Sequence, residues 1–405
     1  MQQISTTCLI AGGGPAGMML VFLLARAGVD VTVLEKHKDF LRDFRGDTVH
    51  PSTLEVMHEL GLLEKFLALP HSEIRNVTIA FGDEEFAMAD FSKLSTTCKF
   101  IALMPQWDFL DFIAAQAKAF PNFHLMMQTE AKDLLIQNGR IAGVLAKTPD
   151  GNVDIRAGLT VAADGRTSIL RDKSGLPRIE LGAPFDVLWL SLPVKSGDPL
   201  GLQGRVKDGQ LFVMIYRGDY WQCALLIPKG GFDPIKAEGL SRFRERLKKI
   251  AGFAADRVDE TITGFDQVRL LTVAVDRLTE WARPGFLAIG DAAHAMSPVG
   301  GVGINLAIQD SVATANILGP ILQTRTPKFA ELKRVQRRRM FPTRVIQAFQ
   351  VAAQNLGLAP IMGATTTPRP PFIVRLLNAW PWARQFPARF LGIGPRPEHV
   401  RLQKK

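Results

Sequence analysis

Cysteine is scarce in this 405-residue sequence. The three cysteines, Cys8, Cys98 and Cys223, lie far apart and belong to no CxxC or Cys/His cluster. A disulfide framework or a zinc site would need paired or clustered cysteines. The sequence therefore predicts neither disulfides nor a metal site, and it favours the reducing environment of the cytoplasm.

Long apolar runs are also absent from the sequence. No stretch of about 18 apolar residues occurs, and the N-terminus leads into a strand-like segment without a basic region or a cleavage site. We therefore predict neither a membrane span nor secretion. Internal repeats and low-complexity stretches are missing as well, which excludes a repeat architecture.

Acidic residues are fewer than basic ones, 39 against 49, so the net charge is +10. Basic proteins can bind nucleic acid, anionic membranes or anionic small molecules. Part of the charge is local, at residues 333–339 and 396–405. No nucleic-acid-binding motif accompanies these clusters. We expect a solvated helix face and a basic tail, and no nucleic acid partner.

The sequence does contain enough apolar residues for a large core. Hydrophobic residues make up 47% of the chain and charged residues 22%, which is typical of a globular protein with two or three domains. The first 35 residues have the pattern of a βαβ unit, with apolar strands at 8–11 and 30–34 and an apolar helix at 18–27. This is half of a dinucleotide-binding fold.

The turn of this unit is Gly12-Gly13-Gly14-Pro15-Ala16-Gly17, which matches GxGxxG. The first glycine allows the tight turn, the second lets a pyrophosphate approach the backbone, and the third lets the helix pack on the strand. Glu35 ends the second strand, where it would accept hydrogen bonds from ribose hydroxyls. The predicted dinucleotide contacts are Gly12, Gly14, Pro15, Ala16, Gly17, Glu35 and Lys36.

Two further motifs follow apolar strands. One is Ala163-Asp164-Gly165-Arg166-Thr167-Ser168. The other begins at Gly290-Asp291 and leads into a glycine-rich helix entrance near Gly303. A carboxylate there can hold ribityl hydroxyls, and N–H groups at a helix start can stabilise negative charge on a reduced isoalloxazine ring.

The other local patterns complete the predicted fold. A capping box at residues 52–55 predicts a helix to about 67, Pro105 a helix to about 120, and residues 240–250 a polar helix. Turns at Asn138-Gly139 and Asp150-Gly151 predict an antiparallel meander. Strand patterns at 73–96 and 186–228 predict a second sheet.

These elements predict an α/β fold with a discontinuous Rossmann-like domain, made of the βαβ unit and the meander, and an interleaved α+β substrate domain. The predicted nucleotide domain comprises residues 1–72, 97–182 and 265–345, and the substrate domain 73–96 and 183–264. Residues 346–405 form a helical C-terminal segment that wraps the surface.

The three motifs, GGGPAG, ADGRTSILR and GDAAHAMSPVGGVGIN, resemble those of the single-component (group A) FAD-dependent aromatic monooxygenases. Para-hydroxybenzoate hydroxylase and phenol hydroxylase typify this family, and the resemblance spans about residues 4 to 320. It implies FAD as cofactor, NADH or NADPH as co-substrate, and O₂. A flavin C4a-hydroperoxide would hydroxylate an aromatic or polycyclic small molecule, so the cofactor performs the chemistry.

The resemblance also implies roles for particular residues. Asp291 would contact FAD, while Asp164 and Gly165 would serve both FAD and nicotinamide binding. Arg45 would lie near the flavin, and Gln106 would reach its ribityl or pyrophosphate part. His294 is expected to be structural rather than a catalytic base. The loop residues predicted to contact the flavin are Pro298, Gly301, Val302, Gly303, Ile304 and Asn305, with Pro298, Gly300 and Gly301 forming the wall that faces it.

The substrate would lie on the second sheet, although alternation turns about half of its side chains away. Lining candidates are Trp189, Phe212, Met214, Tyr216 and Trp221. The C-terminal residues 371–394 mix basic and bulky apolar residues, which is compatible with peripheral membrane contact. Pro381 and Pro387 break any long amphipathic helix, so packing on the protein's own surface is the favoured interpretation. Monomer and homodimer are both open.

Alternative functions are a flavin-dependent reductase or dehydrogenase, a halogenase, or a flavin-fold binding protein. The halogenases resemble one another in a Trp-x-Trp-x-Ile-Pro segment, where this chain has Trp189-Leu-Ser-Leu-Pro193. A binding protein that had lost flavin would not need Glu35, Asp164 and Asp291, which are all present.

Overall fold

The fold is described from a computed structural model, for residues 2–41, 48–199, 201–362 and 364–404. The strands in chain order are β1 (Gln2–Ala11), β2 (Val31–Leu34), β3 (Thr48–Val49), β4 (Ser72–Ile74), β5 (Asn76–Phe81), β6 (Glu84–Asp90), β7 (Ile101–Leu103), β8 (Phe123–Met126), β9 (Glu130–Gln137), β10 (Arg140–Thr148), β11 (Gly151–Ala162), β12 (Arg178–Glu180), β13 (Phe185–Pro193), β14 (Leu202–Lys207), β15 (Gln210–Tyr216), β16 (Tyr220–Pro228), β17 (Arg269–Leu271), β18 (Asp276–Leu278), β19 (Ala282–Arg283), β20 (Phe286–Ala288) and β21 (His294–Ala295).

The α-helices in chain order are α1 (Pro15–Arg26), α2 (Pro51–Glu59), α3 (Leu63–Leu67), α4 (Gln106–Ala117), α5 (Ile169–Lys173), α6 (Phe232–Glu238), α7 (Leu240–Ala251), α8 (Val258–Thr261), α9 (Gly303–Leu322), α10 (Phe329–Ala352), α11 (Ala359–Met362), α12 (Phe372–Ala379) and α13 (Gln385–Gly392). A π-helical segment, Ala353–Leu358, joins α10 to α11. No helix among the described residues is both long enough and apolar enough to cross a membrane.

The largest sheet is built around five parallel strands in the order β20-β11-β1-β2-β8. β19 pairs antiparallel with β20, and β9 and β10 extend from β11 as an antiparallel meander. The predicted α/β class, with its βαβ unit and inserted meander, is confirmed. The largest hydrophobic core surrounds this sheet, because both of its faces are covered.

Both predicted hairpins are present, but the second turn lies one residue earlier than predicted. Asn138 (φ 51°) and Gly139 (φ 70°) take the left-handed conformations that a tight two-residue hairpin requires. The second turn consists of Pro149 and Asp150, because Thr148 pairs with Gly151, the first residue of β11. Local turn chemistry therefore sets the register of the meander.

The second sheet has seven strands in the order β17-β13-β16-β15-β14-β5-β6. All neighbours are antiparallel except β14 and β5, which run parallel. One face packs against α6, α7 and α8 around side chains such as Phe243 and Leu247. We propose that this sheet is the centre of the substrate domain.

The helix near residue 52 starts differently from the prediction. α2 begins at Pro51 after His50, and no side chain caps it. Glu55 instead accepts hydrogen bonds from the backbone N–H and the hydroxyl of Thr97. The helix also ends before Gly61 (φ 71°), so the predicted single helix is two short ones. Proline at the first helical position and a left-handed glycine after the helix account for both bounds.

The C-terminal helices pack over the second sheet, mainly on β6. Val374 of α12 lies among Phe81 and Phe86, and the side-chain oxygen of Asn378 accepts a hydrogen bond from the backbone N–H of Ala87 at 3.1 Å. Ala388 of α13 is buried against Phe91. The segment thus packs on the protein's own surface, as expected, although much of its outer side is apolar.

Candidate functional site

The three sequence motifs meet at the carboxyl ends of adjacent parallel strands. β1 leads into Gly12, β11 into Asp164 and β20 into Gly290. Backbone hydrogen bonds from Ala163 to Ala11 (2.8 Å) and from Ile289 to Ala162 (3.0 Å) continue the pairing into these turns. In an open α/β sheet this edge is where ligands bind.

The first turn has the shape that a dinucleotide phosphate needs. Gly12 has φ +107°, and a Cβ there would lie 2.4 Å from the carbonyl oxygen of Ala163. A Cβ on Gly17 would lie 1.9 Å from the carbonyl oxygen of Gly12. Gly14, which precedes the first residue of α1, faces open space. The backbone is therefore tight where it packs on protein and open where a pyrophosphate would approach it.

Glu35 lies at the end of β2 beside this turn. Its carboxylate accepts hydrogen bonds from the backbone N–H of Gly13 (3.1 Å) and of His37 (3.0 Å). A carboxylate accepts several hydrogen bonds, and at the end of the second strand of a dinucleotide-binding unit it is the group that binds ribose hydroxyls. Lys36, the next residue, is exposed.

A salt bridge joins the second motif to the third. Nε of Arg166 donates to Oδ2 of Asp291 at 3.0 Å, and Nη2 of Arg166 donates to the carbonyl oxygen of Met296 at 3.2 Å. Both side chains are about one-third exposed, at 33% and 31%. Arg166 was not among the predicted site residues, although it belongs to the motif, because the partner of a basic residue cannot be identified from its neighbours in sequence.

Asp164 has an unsatisfied side-chain atom. Its Oδ1 is buried and has no hydrogen-bond partner among the described residues. Burial raises the pKa of this carboxyl, although hydrogen bonds from Ser168 and from the backbone N–H of Leu170 act in the opposite direction. An unpaired buried acceptor costs free energy. A hydroxyl donor from a bound ligand would remove that cost, so the position fits a cofactor rich in hydroxyl groups.

The glycine-rich loop before α9 is held by Asn305. Its side-chain oxygen accepts from the backbone N–H of His50 (2.9 Å) and from the hydroxyl of Thr53 (2.7 Å). Its side-chain nitrogen donates to the carbonyl oxygens of Thr48 and Gly301. The Asn305 side chain is thus engaged within the protein, and only its backbone is left for a cofactor.

The rest of this loop exposes backbone rather than side chains. Gly300 (φ 78°) and Gly301 (φ 62°) are left-handed, Gly300 is exposed, and Pro298 is half-buried. The side chains of Val302 and Ile304 are buried. Because α9 begins at Gly303, its first N–H groups form the positive end of a 20-residue helix.

His294 belongs to a buried ionic cluster. Its Nε2 lies 2.6 Å from Oδ2 of Asp310, which also accepts from the backbone N–H of Gly290 at 3.0 Å. Nε of Arg339 donates to Oδ1 of Asp310 at 2.9 Å. Burial opposes ionisation of Asp310, yet His294 and Arg339 hold its pKa below the ordinary value. The cluster fixes the turn that presents Asp291, which is the structural role expected of His294.

Of the two remaining predicted FAD contacts, Gln106 and Arg45, the structure describes the first. Gln106 is the half-buried first residue of α4. Arg45 lies outside the described residues, so its predicted position near the flavin stays a prediction.

The structure separates the five predicted lining residues. Phe212, Met214 and Trp221 are fully buried in the core that the second sheet forms with α7. Tyr216 packs on Trp221 with ring centroids 5.5 Å apart. The prediction that these four line a substrate pocket is therefore wrong, because strand alternation turns them toward the helices.

Trp189 alone points to the opposite face of the sheet. On that face we define the site face as a group of side chains that cluster together: Trp189, Val213, Ala224 and Leu226 from the sheet, with Val299, Leu358 and Met362 above them. Val299 belongs to the glycine-rich loop, and the last two come from the segment after α10. The site face thus adjoins the loop predicted to contact the flavin.

Comparisons with known proteins agree with this geometry. A family model described as an FAD binding domain matches residues 5–348. The chain is 30% identical over 358 residues to a 6-methylpretetramide 4-monooxygenase of Streptomyces rimosus, covering 87% of this chain and 85% of the relative.

Two solved structures share the fold. PqsL of Pseudomonas aeruginosa, solved with 2-aminobenzoylacetate, superposes with a TM-score of 0.73 at 20% identity, covering 88% of this chain and 99% of that one. The myxobacterial chondrochloren halogenase CndH has a TM-score of 0.72 at 16% identity, covering 96% and 97%. The chain belongs to the FAD-binding family of group A flavoprotein aromatic monooxygenases.

Proposed function

We propose that this protein uses NADH or NADPH and O₂ to hydroxylate an aromatic or polycyclic small molecule. One oxygen atom of O₂ enters the substrate and the other leaves as water, while NAD(P)H loses a hydride and a proton is consumed. The strongest support is that the sheet edge proposed to bind FAD adjoins the apolar site face. Val299 of the glycine-rich loop packs in that face and links the two. The monooxygenase relative supports the same chemistry.

The residues that would hold FAD follow from the geometry of the sheet edge. The open backbone at Gly14 and the start of α1 would bind the pyrophosphate, and Glu35 would bind the adenosine ribose. Asp164 and Asp291 would accept hydrogen bonds from hydroxyls of the ribityl chain. When bound, FAD supplies the redox chemistry, accepting a hydride and activating O₂.

The protein would contribute positioning, electrostatics and exclusion of water. The N–H groups that begin α9, at Gly303 and Ile304, would stabilise negative charge on the reduced flavin ring. Apolar side chains on the site face would exclude water that competes with substrate oxygenation. None of these steps needs a nucleophile or an acid/base pair supplied by the chain.

The composition of the site face indicates the class of substrate. The site face is an apolar cluster, and one of its members is a half-buried tryptophan that can stack on a ring. Burying a charged group among apolar side chains is costly unless the charge is paired. We therefore propose an uncharged aromatic or polycyclic substrate that binds between the sheet and the segment after α10.

Anaerobic reduction of the bound flavin tests this function. NADH and NADPH would each be mixed with the yellow protein, with and without a panel of phenols, quinolones and polyketide aromatics, and products would then be analysed under ¹⁸O₂. We expect one aromatic class to accelerate reduction and to gain one labelled oxygen. Reduction without label in the product would instead indicate a reductase, a halogenated product would indicate a halogenase, and a colourless protein would indicate a binding protein.

A substitution on the site face tests where the substrate binds. Val213→Phe should weaken substrate binding roughly tenfold by overfilling the face, while FAD content stays unchanged. Ile136→Phe, at an exposed position in the meander, is the matched control. Equal substrate affinity in both variants would place the substrate elsewhere.

A further inference from the structure

The C-terminal part of the chain has a charge of one sign. No Asp or Glu occurs between Glu331 and Glu398. The basic residues of this interval are Lys333, Arg334, Arg337, Arg338, Arg339, Arg344, Arg369, Arg375, Arg384, Arg389 and Arg396. A segment of this length without a carboxylate attracts anionic surfaces.

The same part of the chain exposes large apolar side chains. We define the aromatic patch as five exposed residues of α12, α13 and the turn between them: Phe372 (70%), Ile373 (56%), Trp380 (51%), Trp382 (60%) and Phe386 (57%). Single exposed apolar residues need no explanation, but a contiguous group indicates an interaction site.

Three rings of the patch, at the turn between α12 and α13, are in contact and firmly held. The rings of Trp380 and Trp382 are stacked with centroids 6.5 Å apart, and Phe386 meets Trp382 edge-on at 5.7 Å. Arg384 donates to the backbone carbonyls of Leu377 and Asn378 at the end of α12, which fixes the turn between the helices. The aromatic rings are therefore presented outward by an ordered backbone.

Exposed arginines lie on the helices of this patch and just before them in the chain, without acidic partners. Arg369, Arg375 and Arg389 are exposed, and none of them forms an ion pair within the described ranges. Their guanidinium groups are thus available to an anion outside the protein. Long basic side chains beside aromatic rings suit an interface at which apolar and charged layers meet.

We infer that the aromatic patch docks on an anionic lipid bilayer surface. Tryptophan and phenylalanine would enter the headgroup region, and Arg369, Arg375 and Arg389 would contact lipid phosphates. A second copy of the chain fits less well, because its patch would bring the same positive charge into contact. Leu358 of the site face also packs in the cluster that contains Val374 of α12, so the inference brings the proposed apolar substrate site close to lipid.

Vesicle binding by the FAD-loaded full chain tests the inference. Sedimentation would compare phosphatidylglycerol-containing vesicles with pure phosphatidylcholine vesicles, and brominated lipids would report tryptophan quenching. We expect binding to the anionic vesicles only, with quenching of Trp380 and Trp382. R375Q combined with R389Q should weaken binding roughly 25-fold, at about fivefold for each charge near the surface.

A second variant addresses the aromatic component. W380S combined with W382S should reduce binding at least tenfold, while I136S with L270S removes apolar residues exposed elsewhere and should leave binding unchanged. FAD absorbance and melting temperature establish whether each variant is folded. If the tryptophan variant does not fold, the arginine variant still tests the inference. Absence of vesicle binding, unchanged binding by either patch variant, or a dimer that depends on Trp380 and Trp382 would each overturn the inference.

Discussion

Arg166 and Asp291 are 125 residues apart in sequence, yet Nε of the first donates to Oδ2 of the second at 3.0 Å. The salt bridge ties the end of β11 to the end of β20, next to the buried carboxylate of Asp164. Two of the carboxylates proposed to bind FAD are thus held at one sheet edge, and the Asp291 oxygen that does not face Arg166 stays available to a ligand.

Asp291→Asn should weaken FAD binding by about tenfold to a hundredfold. The substitution removes a charge-assisted hydrogen bond, worth about 1.5–3 kcal/mol, and leaves Arg166 without its anionic partner. FAD affinity would be measured by flavin fluorescence titration of the apoprotein. Asp172→Asn, at a carboxylate that is 71% exposed and pairs with Arg171, is the matched control. Equal affinities in the two variants would contradict the proposed role of Asp291.

Gly12→Ala should abolish FAD binding. A methyl group at this position would overlap the carbonyl oxygen of Ala163, at 2.4 Å, and the backbone has φ +107°, which an L side chain rarely adopts. Gly61→Ala is the control, since Gly61 also has a positive φ but faces open space. The flavin-to-protein absorbance ratio of the purified variants measures the effect, and a yellow Gly12→Ala protein would refute the prediction.

His50 should make the protein sensitive to acid. Burial lowers the pKa of His50 from 6.5 to about 4, while its hydrogen bond to the carbonyl oxygen of Leu391 has a smaller, opposing effect. Because the unfolded chain binds the proton more readily, stability present above pH 6.5 is lost as pH falls toward 4, by about 3 kcal/mol. His50→Gln should flatten this slope in urea unfolding measured across the interval. Parallel slopes would contradict the assignment.

Asp198 should stabilise the second sheet through Arg257. The two side chains form two hydrogen bonds of 2.5 and 2.6 Å and are almost fully buried, and Nε1 of Trp221 also donates to Asp198. Removing one partner of a buried pair costs about 3–5 kcal/mol, so Asp198→Ala should lower the unfolding free energy by that amount. Asp256→Ala, at an exposed carboxylate that also pairs with Arg257, should have little effect.

This pair also has a pH dependence of known sign. Hydrogen bonds from Arg257 hold the pKa of Asp198 well below its ordinary value. The ion pair therefore contributes fully to the free energy of unfolding at neutral pH. This contribution is lost as the pH falls into the range in which carboxylates protonate. Chemical unfolding of the wild type and Asp198→Ala should give curves that converge at low pH; a constant difference would show that the ion pair is not the cause.

Local patterns predicted the elements whose shape depends on nearby residues. The glycine turn at residues 12–17 and the hairpin at Asn138-Gly139 need positive φ values that few residue types adopt. The residue types at these positions are therefore enough to predict both turns. The start of α2 differs from the prediction. Ser52 and Glu55 have the spacing of a capping box, but Pro51 already fixes the helix start and Thr97 donates a hydrogen bond to the glutamate.

Tertiary pairing determined what the sequence could not show. β1 begins at Gln2, six residues before the apolar segment, because the long strand β11 pairs along its whole length. The face toward which Met214 points depends on which side of the sheet the helices cover, and alternation alone leaves both choices equal. The partner of Arg166 cannot be identified from sequence either, because Asp291 lies in a turn that follows a strand far along the chain.

The packing of α9 on α1 determines when the cofactor site can first exist. The hydroxyl of Ser311 donates to the carbonyl oxygen of Ala16, 295 residues earlier, at 2.7 Å. During translation the βαβ unit precedes α9 by the whole second sheet. The phosphate-binding turn therefore lacks its packing partner until α9 has been synthesised, and we expect FAD capture only after residue 311 has left the ribosome.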